Sequence, residues 1–156
     1  MNQIEQDIQL KRISRVKENL KHFKERNSFK TVEEYYTFDK NGFPICFVNV
    51  KEGGYSGIIY FILDDYARNN ILYYKININD YIELIDILND DDTINRGIGT
   101  EAIKLLCEIA KENGINKIKG FLSFVDQDHH DRQVHFYKKN GFFIDENDRF
   151  EKIIDS

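Results

Sequence analysis

Apolar residues recur at three- to five-residue steps through Ile4, Ile8, Ile13, Val16, Leu20 and Phe23, with charged residues between them. This spacing predicts an amphipathic helix over residues 4–24, ending near Asn27. From residue 31 the period shortens. Tyr35, Tyr36 and Phe38, then Ile45, Phe47, Val48 and Val50, flank Asn41-Gly42, a hairpin turn signal. Gly53-Gly54 precedes Gly57 to Leu63, Asn69-Asn70 precedes Ile71 to Ile78, and Asn79-Asp80 leads into Tyr81 to Leu88. Strands joined by short turns predict an antiparallel meander over residues 31–88.

Beyond residue 88 the pattern changes again. Ala102, Ile103, Leu106, Ile109 and Ala110 mark one face of a helix over Thr100 to Asn113, with Gly114 as its stop. Ile115 to Phe124 reads as a strand, and Asp126 to Asp131 as an acidic, histidine-containing loop. Asp131 to Asn140 reads as a short helix ended by Gly141, with Phe142 to Ile144 and Phe150 to Ile154 as closing strands. Strand, loop, helix and strand here make a parallel βαβ unit. The domain reading is an N-terminal helix, residues 1–27, docked on or part of a mixed α/β (α+β) domain over 28–156.

Composition narrows the function classes. A chain of 156 residues, 41% hydrophobic and 13% aromatic, suffices for one core. Its formal net charge of −5 argues against a general nucleic-acid binder. The first 26 residues carry +3, which leaves −8 for the remainder, so the later part offers acidic surface suited to a cationic amine as well as to plain solubility. Two separated cysteines, Cys46 and Cys107, give no disulfide frame and read as reduced thiols. The N-terminus lacks an apolar signal region, and the longest apolar run, Ile58 to Leu63, is too short to span a bilayer. The expectation is a cytoplasmic protein without membrane or nucleic-acid partners, and with the N-terminal helix available for a homodimer.

The chemistry concentrates at Asn95-Arg96-Gly97-Ile98-Gly99-Thr100, between a strand and a helix start. Unpaired backbone N–H groups, the helix dipole and absent side chains make such a loop a phosphate cradle. Downstream lies Phe136-Tyr137-Lys138-Lys139-Asn140-Gly141-Phe142. Both motifs in this order, after a meander and separated by helix and strand, resemble the GNAT superfamily, the Gcn5-related N-acetyltransferases. The resemblance covers residues 31–154 and is strongest over 81–143. It implies a GNAT-like mixed, mostly antiparallel central sheet flanked by helices, and acetyl-CoA as cosubstrate with no metal. It also implies acetyl transfer to an amine by direct attack. Backbone N–H groups of Asn95, Arg96, Gly97, Ile98, Gly99 and Thr100 would hold the CoA pyrophosphate. The pantetheine arm would run between Ile85 to Asn89, with Ile87 and Asn89 as contacts, and Gly120 to Phe124. Two departures stand out: Ile94 occupies the place where the family usually has Gln or Arg, and His130 the place of a cofactor-touching Asn. The helical pair that the family usually carries between its first two strands is not evident.

Acyl transfer needs a neutral nucleophile, stabilisation of the oxyanion and a proton for the leaving thiolate. The resemblance puts Tyr137 at the general acid; a core role beside Phe136 and Phe142 is the structural alternative. Glu83 stands where Gcn5-like members carry a catalytic glutamate, with Asp86 or a water chain as other candidates for the base. Strand alternation puts Glu83 and Asp86 on opposite faces. Asp90, Asp91 and Asp92 read as a solvated turn or an acidic rim. Asp126, Asp128, His129, His130 and Asp131 lack a repeated metal-ligand spacing and read as a polar loop. Two other functions compete. One is a catalytically weak or inactive acyl-CoA-binding regulatory or assembly module using the N-terminal helix. The other is a dinucleotide-binding oxidoreductase, suggested by Gly97-Ile98-Gly99-Thr100-Glu101-Ala102. The antiparallel first half argues against the latter.

Overall fold

The computed structural model describes residues 1–28, 32–65, 69–88, 91–123 and 127–155. Helix α1 (Gln3–Arg26) opens on a capping box, in which the Asn2 side chain accepts from the Glu5 N–H and Glu5 accepts from the Asn2 N–H. Then come β1 (Val32–Phe38), β2 (Pro44–Glu52), β3 (Ser56–Ile62), β4 (Asn69–Asn77) and β5 (Tyr81–Ile87), each antiparallel to the one before. Two helices follow, α2 (Asp91–Arg96) and α3 (Ile98–Glu112), then β6 (Lys117–Phe121), α4 (Gln127–Lys139), β7 (Phe143–Ile144) and β8 (Arg149–Ile153). The strands form one sheet in the order β1-β2-β3-β4-β5-β6-β8-β7, mostly antiparallel, with β5 and β6 parallel across the α2–α3 connection. The meander, the βαβ unit and the closing strands all form as the periodicity predicts.

Three expected boundaries shift. The glycine stretch is not an open loop: residues 91–96 are helical, Gly97 is the turn, and α3 begins at Ile98 rather than Thr100. Helix α4 begins at Gln127 rather than Asp131, so Asp128, His129 and His130 sit on a helix and not in a polar loop. Strand β6 ends at Phe121, and Phe124 to Asp126 fall outside the described residues. The apolar character of Asp91–Arg96 is too low, and the segment too short, to announce a helix from periodicity.

Side-chain alternation splits the sheet into two faces. One packs Ile45, Phe47, Ile59, Phe61, Leu72, Tyr74, Ile82, Leu84 and Ile118 against Ile98, Ala102, Ile103, Leu106 and Ile109 of α3. The other packs Cys46, Val48, Val50 and Ile62 against Val16, Leu20 and Phe23 of α1. Strand β2 is therefore buried on both faces along its first seven residues. The N-terminal helix thus docks on the sheet through its second half, while Ile4, Ile8 and Leu10 of its first half stay exposed. It packs on β2 and β3, while Phe121 of β6 and Phe143 of β7 remain exposed.

Candidate active site

The site begins where two parallel strands part. The β5–β6 ladder contains two pairs, Ile82 with Ile118 and Glu83 with Lys119, although β5 runs on to Ile87 and β6 to Phe121. Gly120 permits this approach. A Cβ there would meet the Phe150 ring and lie 2.6 Å from the Leu84 carbonyl oxygen. Past Glu83 the β5 backbone faces a narrow cleft of about 30 Å³, lined by Ile85, Asp86, Ile87, Phe121, Ser123, Gln133 and Tyr137. Extended backbone freed from its ladder carries unpaired N–H and C=O groups that a ligand with amides can pair.

A bulge in β5 redirects its carboxylates. Glu83 pairs with Lys75 and Asp86 with Tyr73, so one extra residue is accommodated on β5. Lys75 and Tyr73 are two apart on β4 and share a face, and directly paired residues share a face. Glu83 and Asp86 therefore lie on the same face, not on opposite ones. Simple alternation fails here because the extra residue resets the period. Ile87, paired with Leu72, turns to the opposite face and packs against the main core. Asn89 lies outside the described residues.

Tyr137 is 6% exposed. Its ring stacks on Phe150 at 4.1 Å and meets Phe142 edge-on at 5.3 Å. The core packing and the place at the cleft are thus both true of this residue. Burial, and secondarily the charge of Asp86, push its phenol above the ordinary value of 10. On the same helix, Gln133 stands one turn before Tyr137, and its buried Oε1 has no hydrogen-bond partner among the described residues. His130, a further turn back, places Nε2 3.0 Å from Asp148 Oδ1 and Nδ1 3.9 Å from Asp131 Oδ1. The hydrogen bond with Asp148 raises its pKa above 6.5.

At the glycine turn the backbone does most of the work. Gly97 has φ 71°, a left-handed conformation that side chains disfavour. The first helical bond of α3 runs from the Glu101 N–H to the Gly97 oxygen, 3.2 Å. The N–H groups of Ile98, Gly99 and Thr100 precede it and are the donors a helix start leaves open. Gly99 serves another purpose: a Cβ there would lie 3.1 Å from the Phe136 ring, so its absence lets α4 pack close. Arg96, the cation of the stretch, directs its guanidinium to Asp39, with Nε 3.0 Å from Oδ2, and to Asp65 at 3.5 Å. Asn95 is exposed at the end of α2.

Lys40, in the β1–β2 hairpin, joins the site through tertiary contacts alone. Its N–H donates to the Arg96 oxygen at 3.2 Å, and its stem lies 3.6 to 3.8 Å from where a Gly97 Cβ would stand. It is exposed and makes no ion pair among the described residues. No sequence signal marks it, because 57 residues separate the hairpin's Asp39 from Arg96 along the chain.

On the open face a bay of about 380 Å³ is lined by Tyr81, Glu83, Lys119, Phe121, Phe143, Asp145, Arg149 and Glu151, among others. Glu151 pairs with Lys117 at 3.4 Å, and Asp145 accepts from the N–H groups of Asn147 and Arg149. Glu83 has no such partner among the described residues. Phe121 borders both bay and cleft. No group of three or more His, Cys, Asp or Glu suited to a metal occurs among the described residues.

A meander, a glycine turn into a helix, and a tyrosine at a splayed strand pair define the acetyltransferase class of fold. Residues 13–142 match the acetyltransferase (GNAT) family, and the chain belongs to it. Its fold is shared with nourseothricin acetyltransferase, at a TM-score of 0.54 and 16% identity over 80% of this chain and 85% of that one. The PaiA N-acetyltransferase of Thermoplasma acidophilum, solved in complex with coenzyme A, aligns at a TM-score of 0.45 and 22% identity, over 70% of this chain and 60% of that one. A 50-residue stretch is 40% identical to the uncharacterized protein YocC of Bacillus subtilis strain 168, spanning 32% of this chain and 30% of YocC. No helix among the described residues is long and apolar enough to cross a membrane.

Proposed function

We propose that the protein transfers an acetyl group from acetyl-CoA to an amine. The observation that carries this reading is the early end of the β5–β6 ladder with Tyr137 at the resulting cleft. Family membership and the start of α3, where Gly97 supplies no side-chain cap, support it. The residues fit the cosubstrate: Ile98 to Thr100 for the pyrophosphate, Lys40 as the nearby cation where Ile94 replaces the family's usual Gln or Arg, and the freed edge of β5 for the pantetheine amides. Acetyl-CoA supplies an activated thioester. The amine nitrogen forms a bond to the acetyl carbon, the carbon–sulfur bond breaks, and sulfur keeps the electron pair.

Tyr137 hydrogen-bonds that sulfur. A thiol titrates near ~8.5 and a phenol near ~10, higher here, so the phenol does not surrender its proton for good. It stays neutral, steadies the thiolate, and relays a proton released by the amine. Glu83, from the bay, takes the earlier proton that an ammonium must lose before its nitrogen can attack, with Asp86, on the same face, as the alternative base. A carboxylate without an ion-pair partner among the described residues, lining the bay with Tyr81 and Phe121, suits a cationic acceptor.

Calorimetry with acetyl-CoA and CoA tests the reading, and no heat at millimolar ligand would sink it. Thiol release over an amine panel then separates a working enzyme from a binding module. A homodimer accompanies the proposal, because Ile4, Ile8 and Leu10 of α1 are exposed and Ile13, Tyr36 and Phe38 line a groove of about 300 Å³ beside them. A double Ile4→Glu, Ile8→Glu variant that keeps the wild-type mass in solution would remove this element.

A further inference from the structure

Helix α4 carries a polar stripe on the face toward the cleft. His130, Gln133 and Tyr137 stand three and four residues apart, which aligns them along one side of a helix. Tyr137 and Gln133 both line the cleft between the splayed strands. Gln133 is anomalous within it. Its Oε1 is fully buried and meets no hydrogen-bond donor among the described residues. Leaving a buried acceptor unpaired costs more than a hydrogen bond returns, so such an atom marks a place where a water, an ion or a ligand group is held.

The donor it awaits can be named by chemistry and distance. Four residues, about 6 Å along the axis, separate Gln133 from Tyr137 on one side of the helix. In acetyl-CoA the first amide nitrogen is three bonds from the sulfur, about 4 Å away by ordinary bond lengths. A sulfur at the Tyr137 hydroxyl therefore brings that amide N–H beside Gln133. We propose that Gln133 is a specificity-determining residue of the acyl-donor site, accepting a hydrogen bond from the pantetheine amide next to the thioester and so setting the sulfur against Tyr137. This inference rests on the acetyl-CoA reading of the site and deepens it.

The test pairs affinity with stability. Gln133→Leu keeps the volume and removes the orphaned acceptor. The expected result is CoA affinity about five- to thirtyfold weaker by calorimetry, with a melting temperature of the ligand-free protein equal to or above wild type. Adenosine 3′,5′-bisphosphate, which lacks the pantetheine arm, should bind the variant and the wild type alike. Gln133→Asn, too short to reach, should lose CoA affinity in the same direction. An unchanged CoA affinity in Gln133→Leu overturns the assignment, as does an equal loss for both ligands or a lowered melting temperature with CoA affinity following it. A wild-type chain that binds the bisphosphate but not CoA overturns it as well, and one that binds neither overturns the acetyl-CoA reading itself.

Discussion

Asp39 and Arg96 form a buried ion pair across the molecule, Oδ2 to Nε at 3.0 Å, with the carboxylate side chain wholly buried and the guanidinium side chain 12% exposed. The other oxygen of Asp39 accepts from the N–H groups of Asn41 and Phe43, each at 2.9 Å. The pair therefore ties the β1–β2 hairpin to the junction of α2 and α3. Removing one partner of a buried pair costs about 3–5 kcal/mol, and because Arg96 keeps Asp65 at 3.5 Å the loss belongs at the lower end of that range. Asp39→Ala should lower unfolding stability by that order in urea titrations, and a loss below ~1 kcal/mol would show the latch to be ornamental.

The latch presents Lys40 at Gly97. An exposed ammonium near phosphate acts through a screened Coulomb attraction. Lys40→Ala should weaken CoA and adenosine 3′,5′-bisphosphate alike, by roughly three- to tenfold in dilute buffer. The difference should shrink as salt rises toward 1 M, and Lys40→Arg should hold near the wild-type affinity. Equal binding by Lys40→Ala in dilute buffer would remove Lys40 from the site. This pattern is the mirror image of that expected for Gln133, which distinguishes the phosphate end of the cofactor from its arm.

Tyr137→Phe keeps the stacking on Phe150 and deletes the hydroxyl. Turnover should fall by about 10²–10⁴-fold, with CoA affinity within about twofold. The working form of Tyr137 is protonated, and its pKa is held above 10, so the wild-type rate should show no loss from this group up to pH 10. Asp86→Asn removes a charge that opposes ionisation of Tyr137, so any alkaline limb should move to lower pH. A limb that stays in place would uncouple Asp86 from Tyr137.

Glu83 and Asp86 share a face, so the base is decided by access and not by direction. Glu83 borders the bay, and Asp86 borders the cleft. Glu83→Gln should lower kcat about 10²-fold while leaving CoA affinity near the wild-type value. If Asp86→Asn does this instead, the roles exchange.

Cys46 has no exposed surface, and burial, aided by the charge of Glu34, pushes its thiol up to about 12 from 9. The folded state holds the proton more tightly than the unfolded one, so this contribution is complete below pH 9 and disappears as pH climbs toward 12. Thiol reagents should modify the half-buried Cys107 first and Cys46 only on unfolding. Cys46→Ala should reduce the alkaline slope of stability between pH 9 and 12. Labelling of Cys46 at the rate of Cys107 in the folded protein would contradict the packing of α1 on β2.

Periodicity along the chain locates α1, the meander, α3 and β6, because burial on one side imposes a period of 3.6 or 2 on the residues. The glycine pair and the Phe136–Phe142 stretch point to the family because both motifs depend on local backbone geometry. Helix α2 leaves no such mark, since its short and mostly polar segment carries no apolar period. Alternation misplaces Asp86 relative to Glu83, since it assumes an unbroken ladder and the bulge breaks it.

The sequence alone determined α1, the strands and α3, their order, and the family to which the chain belongs, but not α2 or the first turn of α4. These follow from interactions between residues close along the chain. Tertiary structure decided which charges are free to act. It committed Arg96 to Asp39, set Lys40 beside Gly97, turned Asp86 to the face of Glu83 through the bulge, and left the Gln133 oxygen without a partner among the described residues. Each of those outcomes depends on contacts between distant segments, where packing and desolvation, not residue identity, settle the partner.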